Sequence, residues 1–243
     1  MSGIKDGYHD FDDFLALPYT TPTTEANYGR YRGFSSTGGV LGDNDEIGGG
    51  LILSSDGDDE GASFGDFAFP YQISRSHGKL WFECRVKTST IDDAKHGILV
   101  GLYGRFAITT TRSVLTAIAP IAAAGTIVDS NFVGFHRLEG DGDQFDTVYR
   151  ADGVTQVTVG ANAVTIVADT YVKLGFVFDP RNYVLTFYKN GVKLADSYTV
   201  VAAAGTDFPN DVRLGRVMAV LNATASTPGQ SEIDWWRVAQ LSV

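Results

Sequence analysis

The chain is poor in the residues that staple or brace small domains. One cysteine, Cys84, in 243 residues excludes an intrachain disulfide and a cysteine-based zinc site, so stability must come from burial and hydrogen bonding. Four histidines, His9, His77, His96 and His136, lie far apart with no H-x-H or HExxH spacing. Basic residues are scarce, with 19 Lys plus Arg against 29 Asp plus Glu, a formal charge of −10. A field of that sign repels phosphate backbones, so no nucleic acid partner is expected. Long apolar runs are missing too. The most apolar stretch, Val114 to Val128, is too short to span a bilayer and contains Pro120 and Gly125, so no membrane partner is expected. The N-terminus lacks a basic segment followed by an apolar one, as a secretory signal would have. No serine sits in G-x-S-x-G, and Gly48-Gly49-Gly50 has no Lys-Ser/Thr after it, which removes a hydrolase elbow and a phosphate loop.

What is present is a core-forming composition, 44% hydrophobic, with 28 glycines and many aromatics, as short strands and tight turns require. From residue 80 onward the pattern is plainly β. In Leu80 to Lys87, Leu80, Phe82, Cys84 and Val86 point one way and Glu83, Arg85 and Lys87 the other, so this strand has one buried face and Cys84 is an inert core thiol. Gly97 to Gly104 is uniformly apolar, which predicts a central strand covered on both sides. Strands follow at Phe132–Leu138, Phe145–Arg150 and Val154–Val159, the last after an Asp152-Gly153 turn. Tyr171–Phe178 leads to an Asp179-Pro180-Arg181-Asn182 turn and the strand Tyr183–Tyr188. Asn190-Gly191 then closes a second hairpin, since both residues tolerate positive φ. Strands at Val212–Leu221 and Ile233–Leu241 finish the chain. About ten to twelve strands in all, with at most a helical turn or two in 109–124, predict an all-β, two-sheet antiparallel sandwich.

The first 79 residues read differently, with Gly-Asp clusters and isolated aromatics. Only short apolar pieces such as Leu51-Ile52-Leu53 look strand-like, so loops and short strands are expected to join the arm to the main body. Residues 1–25 are expected to form an extended N-terminal arm, and 26–243 the sandwich, its core motifs lying in 80–243. The arm carries Tyr8, Phe11, Phe14, Leu15, Leu17 and Tyr19, and Pro18 and Pro22 interrupt any helix. In an isolated monomer these aromatics have little to pack on, so they are expected to dock on a neighbour. Deleting residues 1–20 should then leave the melting temperature nearly unchanged and abolish assembly.

Three stretches carry a resemblance: LWFECRVK (80–87), YVKLGFVFDPRNYVLTFYKNGVKLADS (171–197) and EIDWWRVAQL (232–241). They resemble the early core strand, the paired hairpin strands and the closing strand of the concanavalin A-like lectin/glucanase jelly roll in its laminin-G-like form. The resemblance covers about 160 residues and implies a jelly-roll fold without fixing a function. Combined with the Gly/Asp-rich N-terminal region, it also resembles virion structural proteins of tailed bacteriophages.

Enzymatic jelly rolls of this family carry E-x-D-x-x-E on one strand. Here Glu232-Ile233-Asp234 matches the first two positions, but Arg237 stands at the third, and a cation cannot be the proton donor a retaining mechanism needs. No catalytic residue is therefore assigned. The acidic loops 141–146 and 56–60 offer hard oxygen ligands of the kind calcium takes, yet neither fits the twelve-residue calcium pattern, and Gly-Asp turns also arise for conformational reasons. No metal or cofactor is assigned. Trp81, Trp235 and Trp236 could stack on sugars. Adjacent Trp235 and Trp236 must face opposite sides of their strand, so one belongs to the core.

The resulting expectation is a non-enzymatic virion protein, a capsid decoration or tail-surface protein. It would bind a major capsid or tail protein through its arm and act as a homo-oligomer on a symmetric lattice. The alternative is a carbohydrate-binding module attaching to a host-surface glycan, and a glucanase-like hydrolase is the remaining reading.

Overall fold

The structure, a computed structural model, describes residues 7–14, 26–35, 40–43, 49–54, 60–66, 68–92, 96–104, 131–137, 141–199, 207–222 and 229–241. The expected helical turn in 109–124, most of the 56–60 loop and the rest of the 1–25 arm lie outside these residues. All regular structure among the described residues is β, in two antiparallel sheets packed as a jelly-roll sandwich.

In spatial order the first sheet runs Val192–Thr199 (β15), Val184–Lys189 (β14), Val172–Asp179 (β13), Leu80–Thr88 (β8), Gln230–Leu241 (β17), Leu51–Ser54 (β5), Val40–Asp43 (β4). Gly7–Asp12 (β1) also pairs with β17, from Gly7 opposite Leu241 to Asp12 opposite Trp236. The second sheet runs Val157–Thr165 (β12), Gln144–Arg150 (β11), Phe132–Arg137 (β10), Gly97–Gly104 (β9), Arg213–Asn222 (β16), Glu60–Asp66 (β6), Tyr31–Ser35 (β3), Ala26–Tyr28 (β2). Tyr71–Gln72 (β7) pairs with the start of β16.

Most expected strands appear with their ends shifted by a few residues. β9 spans the expected residues and is buried throughout. The turn after β14 has Asn190 and Gly191 both at positive φ, 51° and 80°. In the 179–183 turn the Arg181 N–H donates to the Asp179 carboxylate at 3.0 Å. One strand sits later than its sequence suggests: β12 begins at Val157, because residues 151–154 close a turn, with Val154 N–H donating to the Ala151 carbonyl and Arg150 Nε donating to the Val154 carbonyl. The larger difference lies at the N-terminus. Among the described residues seven strands come from the first 79, and the first of them, β1, lies in the segment expected to be an arm.

Side chains alternating inward from both sheets fill the middle. Phe82 stacks on Phe176 with centroids 5.3 Å apart, and Phe135 meets Phe187 edge-on at the same distance. Each such ring, fully buried, contributes about 1.5–3 kcal/mol. A second aromatic group closes the other end. Phe14, 1% exposed, packs against Tyr31, Phe64 and Trp236, with 5.2 Å to the indole. Over its described residues the N-terminal segment is thus part of the sandwich: β1 extends a sheet and Phe14 enters the core.

Beside this group lies a buried charge cluster. Arg216, fully buried, donates to both oxygens of Asp66 at 2.8 and 3.0 Å and to Asp10 on β1 at 3.2 Å. Asp10 also accepts from Arg30 and, at 2.9 Å, from the Tyr71 hydroxyl. Burial alone would raise the Asp10 carboxyl, but the Arg30 and Tyr71 donors and the Arg216 charge outweigh it and hold the pKa below the usual carboxylate range.

His96 is buried with its Nε2 2.7 Å from Ser231 Oγ, and burial, with the Arg137 charge adding to it, pushes its pKa down to about 3. An unfolded histidine takes a proton near pH 6.5, so between about 6.5 and 3 the unfolded chain binds more protons and stability falls as pH drops. The expected loss is about 1.4 kcal/mol per pH unit. Urea unfolding at pH 7 and pH 5 should differ by about 2 kcal/mol, and His96→Gln should remove that part of the slope. An unchanged slope in the variant would show that other groups carry it.

Candidate functional site

The outward face of the first sheet carries a groove. Alternation in β8 sends Leu80, Phe82, Cys84 and Val86 inward and leaves Trp81, Glu83, Arg85 and Lys87 outside. Strand register then sets Arg237, Glu83, Gly175 and Tyr188 in one cross-strand row, and His9, Ala239, Trp81 and Val177 in the next. Two small residues, Gly175 and Ala239, lower the floor between larger neighbours. A Cβ at Gly175 would come within 2.8 Å of the Phe82 carbonyl oxygen, so this position tolerates no side chain without a backbone shift. The result is a hollow of about 420 Å³, within the range of small-ligand sites, with Trp81 and Tyr188 in its walls. Glu83 accepts from Arg237 Nε at 2.9 Å inside it.

Trp81 also lines a second hollow of about 570 Å³, so the two meet at the indole. Here the residues before β8 and the β13–β14 turn supply Arg75, His77, Lys79, Asp179 and Arg181. Lys79 Nζ lies 3.4 Å from Asp179 and 5.8 Å from the Trp81 ring centre, and the Arg75 guanidinium sits 3.9 Å over the Tyr183 ring. Chemically the groove offers one apolar aromatic face flanked by hydrogen-bonding groups on both sides.

The Glu232–Asp234 motif lies elsewhere on the same face and is engaged. Glu232 is 3.0 Å from Lys87 Nζ and accepts from the Tyr171 hydroxyl, while Asp234 pairs with Arg85. Arg237, in the third position, binds Glu83. A bulge between Ile233 and Trp235 breaks the alternation, so Ile233 and Trp236 both face the core, fully buried. Trp235 stays outside against Phe11, with centroids 6.1 Å apart. Of the three tryptophans, Trp236 is core, Trp235 surface, and Trp81 faces the groove.

Cys84 is fully buried and its thiol is pushed up by burial, as an inert core residue would be. The four histidines do not converge on one another, but one of them meets the 141–146 loop. His136 on β10 stands opposite Asp146 on β11, with Nε2 3.4 Å from the carboxylate, and ligand atoms of His136, Asp141 and Asp146 all lie within 4.8 Å of one another. Asp146 also accepts the Asn162 N–H at 2.6 Å. Burial alone would raise this carboxyl, but the His136 and Asn162 donors outweigh it and lower it. One imidazole and two carboxylates make a donor set compatible with a divalent cation. Sequence spacing concealed His136, because the strand pairing that sets it beside Asp146 spans ten positions.

No protein-family model matches the sequence, and no curated protein is significantly similar to it. Solved structures do match the fold. The Bacteroides ovatus mixed-linkage glucan GH16 protein, bound to a G4G4G3G product, aligns with TM-score 0.57 and 10% identity over 94% of this chain and 99% of that one. The Emp46p carbohydrate recognition domain in its potassium-bound form gives 0.55 and 14% over 83% and 88%. A seed lectin of Lotus tetragonolobus gives 0.50 and 9% over 93% and 100%. The order of the two sheets and these likenesses together make the fold that of the concanavalin A-like lectin/glucanase sandwich.

Proposed function

We propose that this chain is a non-catalytic binding domain that holds a glycan in the Trp81 groove. The carrying observation is the placement of Trp81: an indole presented from a rigid central strand, between two open hollows, with charged and hydroxyl groups beside it. Sugars offer one apolar face of C–H groups and an equatorial rim of hydroxyls. An aromatic face with polar neighbours fits both halves of that surface. Two of the structural neighbours, a carbohydrate recognition domain and a seed lectin, are named for such binding. The absence of catalysis is part of the proposal: Glu232 and Asp234 are engaged by Lys87, Tyr171 and Arg85, and Arg237 stands where an acid is needed.

A second reading, attachment to a virion, is favoured by one observation. Phe11 on the edge strand β1 is half exposed and lies beside the outward Trp235. This patch suits docking on a capsid or tail protein, with many copies adding avidity. The readings combine if a virion-borne copy captures host glycan.

The test is a glycan array followed by titration calorimetry. Trp81→Ala is expected to weaken the best ligand at least about tenfold, the order of one stacking contact, while the melting temperature stays close to that of the parent. Binding unaffected by Trp81→Ala would sink the groove assignment. Incubation with the bound polysaccharide should release no reducing ends, and release that Glu232→Gln abolishes would restore the hydrolase. In the same preparation, light scattering that shows a monomer counts against the lattice reading.

A further inference from the structure

We infer that the ligand of this groove is an acidic oligosaccharide, its ring on Trp81 and its acid groups at the Arg75, Lys79 and Arg181 end. The inference rests on the groove being a glycan site, as proposed above, and adds the chemical class of the glycan. It is carried by a local reversal of charge. Over the whole chain acidic residues outnumber basic ones 29 to 19. Around the hollow beyond Trp81 the balance inverts, with Arg75, Lys79 and Arg181 against the single acid Asp179, and His77 alongside. Lys79 sits 3.4 Å from Asp179, which leaves two guanidinium groups without a carboxylate among the residues that line the hollow.

Those two cations stand on ordered backbone. Arg75 is stacked 3.9 Å over Tyr183, whose backbone ends the 179–183 turn at φ 57°. Arg181 follows Pro180 in the same turn and is tied by its own N–H to Asp179. A guanidinium is a planar, weakly hydrated fork that matches the paired oxygens of a carboxylate or a sulfate. A neutral sugar would leave both forks in water, whereas an acidic one gives each a charge-assisted partner. At the opposite end the ion pair of Glu83 with Arg237 is internally neutral and suits hydroxyls. The groove therefore has a polarity, with a neutral end, an aromatic centre and a cationic end. A chain with a net charge of −10 repels acidic polymers at long range. That repulsion makes a cationic strip inside a cleft a selective feature of the cleft.

The experiment titrates the full chain with three hexasaccharides by calorimetry: an oligogalacturonate carrying carboxylates, a heparin-derived oligomer carrying sulfates, and neutral cellohexaose. At low salt one of the acidic oligomers is expected to bind about tenfold or more tighter than the neutral one, with the advantage shrinking as salt rises. The carboxylate and sulfate arms tell which acid the forks prefer. Arg75→Gln combined with Arg181→Gln should reduce acidic binding about tenfold and lower neutral binding far less, since glutamine keeps a hydrogen-bonding group and loses only the charge. A melting curve that matches the parent guards against misfolding. Neutral and acidic oligomers binding equally, or acidic binding indifferent to the double variant, would overturn the inference while leaving the glycan site standing. If Trp81→Ala changes no binding at all, the glycan reading itself fails.

Discussion

Phe14→Ala is expected to cost about 3–5 kcal/mol and lower the melting temperature by roughly 10 °C. The ring is enclosed by Tyr31, Phe64 and Trp236, so truncation leaves a cavity lined by three rigid aromatics that cannot collapse into it. Deleting residues 1–14 should cost at least as much, because it also removes Asp10 from Arg216 and uncovers the edge of β17. This reverses the effect foreseen from sequence, in which the arm could be cut without loss of stability. Differential scanning calorimetry of the point variant is the cleaner measurement. A melting temperature within a degree or two of the parent would show that the segment does not dock as described.

The second large effect belongs to Asp66. Arg216 is fully buried and its firmest partner is this carboxylate, which takes two of its side-chain donors and its backbone N–H. Asp66→Ala leaves a guanidinium in the core with only Asp10 to balance it, and about 3–5 kcal/mol should be lost. Replacing both partners, Asp66→Ala with Arg216→Met, should recover much of that loss, since the penalty comes from the stranded charge. Denaturant unfolding of the single and double variants separates the outcomes. A double variant no better than the single would mean that the cluster stabilises by more than charge pairing. Acid should have a related effect. The Asp10 pKa is held down in the folded state, so its contribution is complete above the ordinary carboxylate range and is lost as pH falls through the lowered value.

The regions that declared themselves in sequence did so through local periodicity. Leu80 to Thr88 alternates without interruption, and Asn190-Gly191 meets a backbone requirement that few other pairs can. Apart from β5, with its Leu51-Ile52-Leu53, strands β1 to β7 gave no such signal. Most are six residues or shorter, rich in Gly and Asp, and held by partners far along the chain, as β1 is by β17. The inward-facing acids Asp10 and Asp66 also look like surface residues until Arg216 is placed between them. The site was half legible. Trp81 could be named, with Trp235 and Trp236, as able to stack on a sugar, and its place on the outer phase of a clean strand sends it outward. The groove itself depends on register: Gly175 and Ala239 form its floor only when three strands are aligned, and no window of sequence contains that alignment. The bulge at Ile233–Trp235 was hidden for a related reason, since it exists only relative to β8.

The pairing of β1 with β17 also sets a timetable. Asp10 and Arg216 are 206 positions apart, and Phe14 waits for Trp236, so one end of the core cannot close until those distant residues have been made. Closing so long a loop is entropically slow, and sheets built from distant partners fold late. During synthesis β1, with Tyr8 and Phe11, has no strand to pair with and exposes a β edge to other nascent chains. Its acids, Asp10 and Asp12, with Asp13 just beyond the strand, put like charges on that edge and keep neighbouring copies apart until β17 arrives.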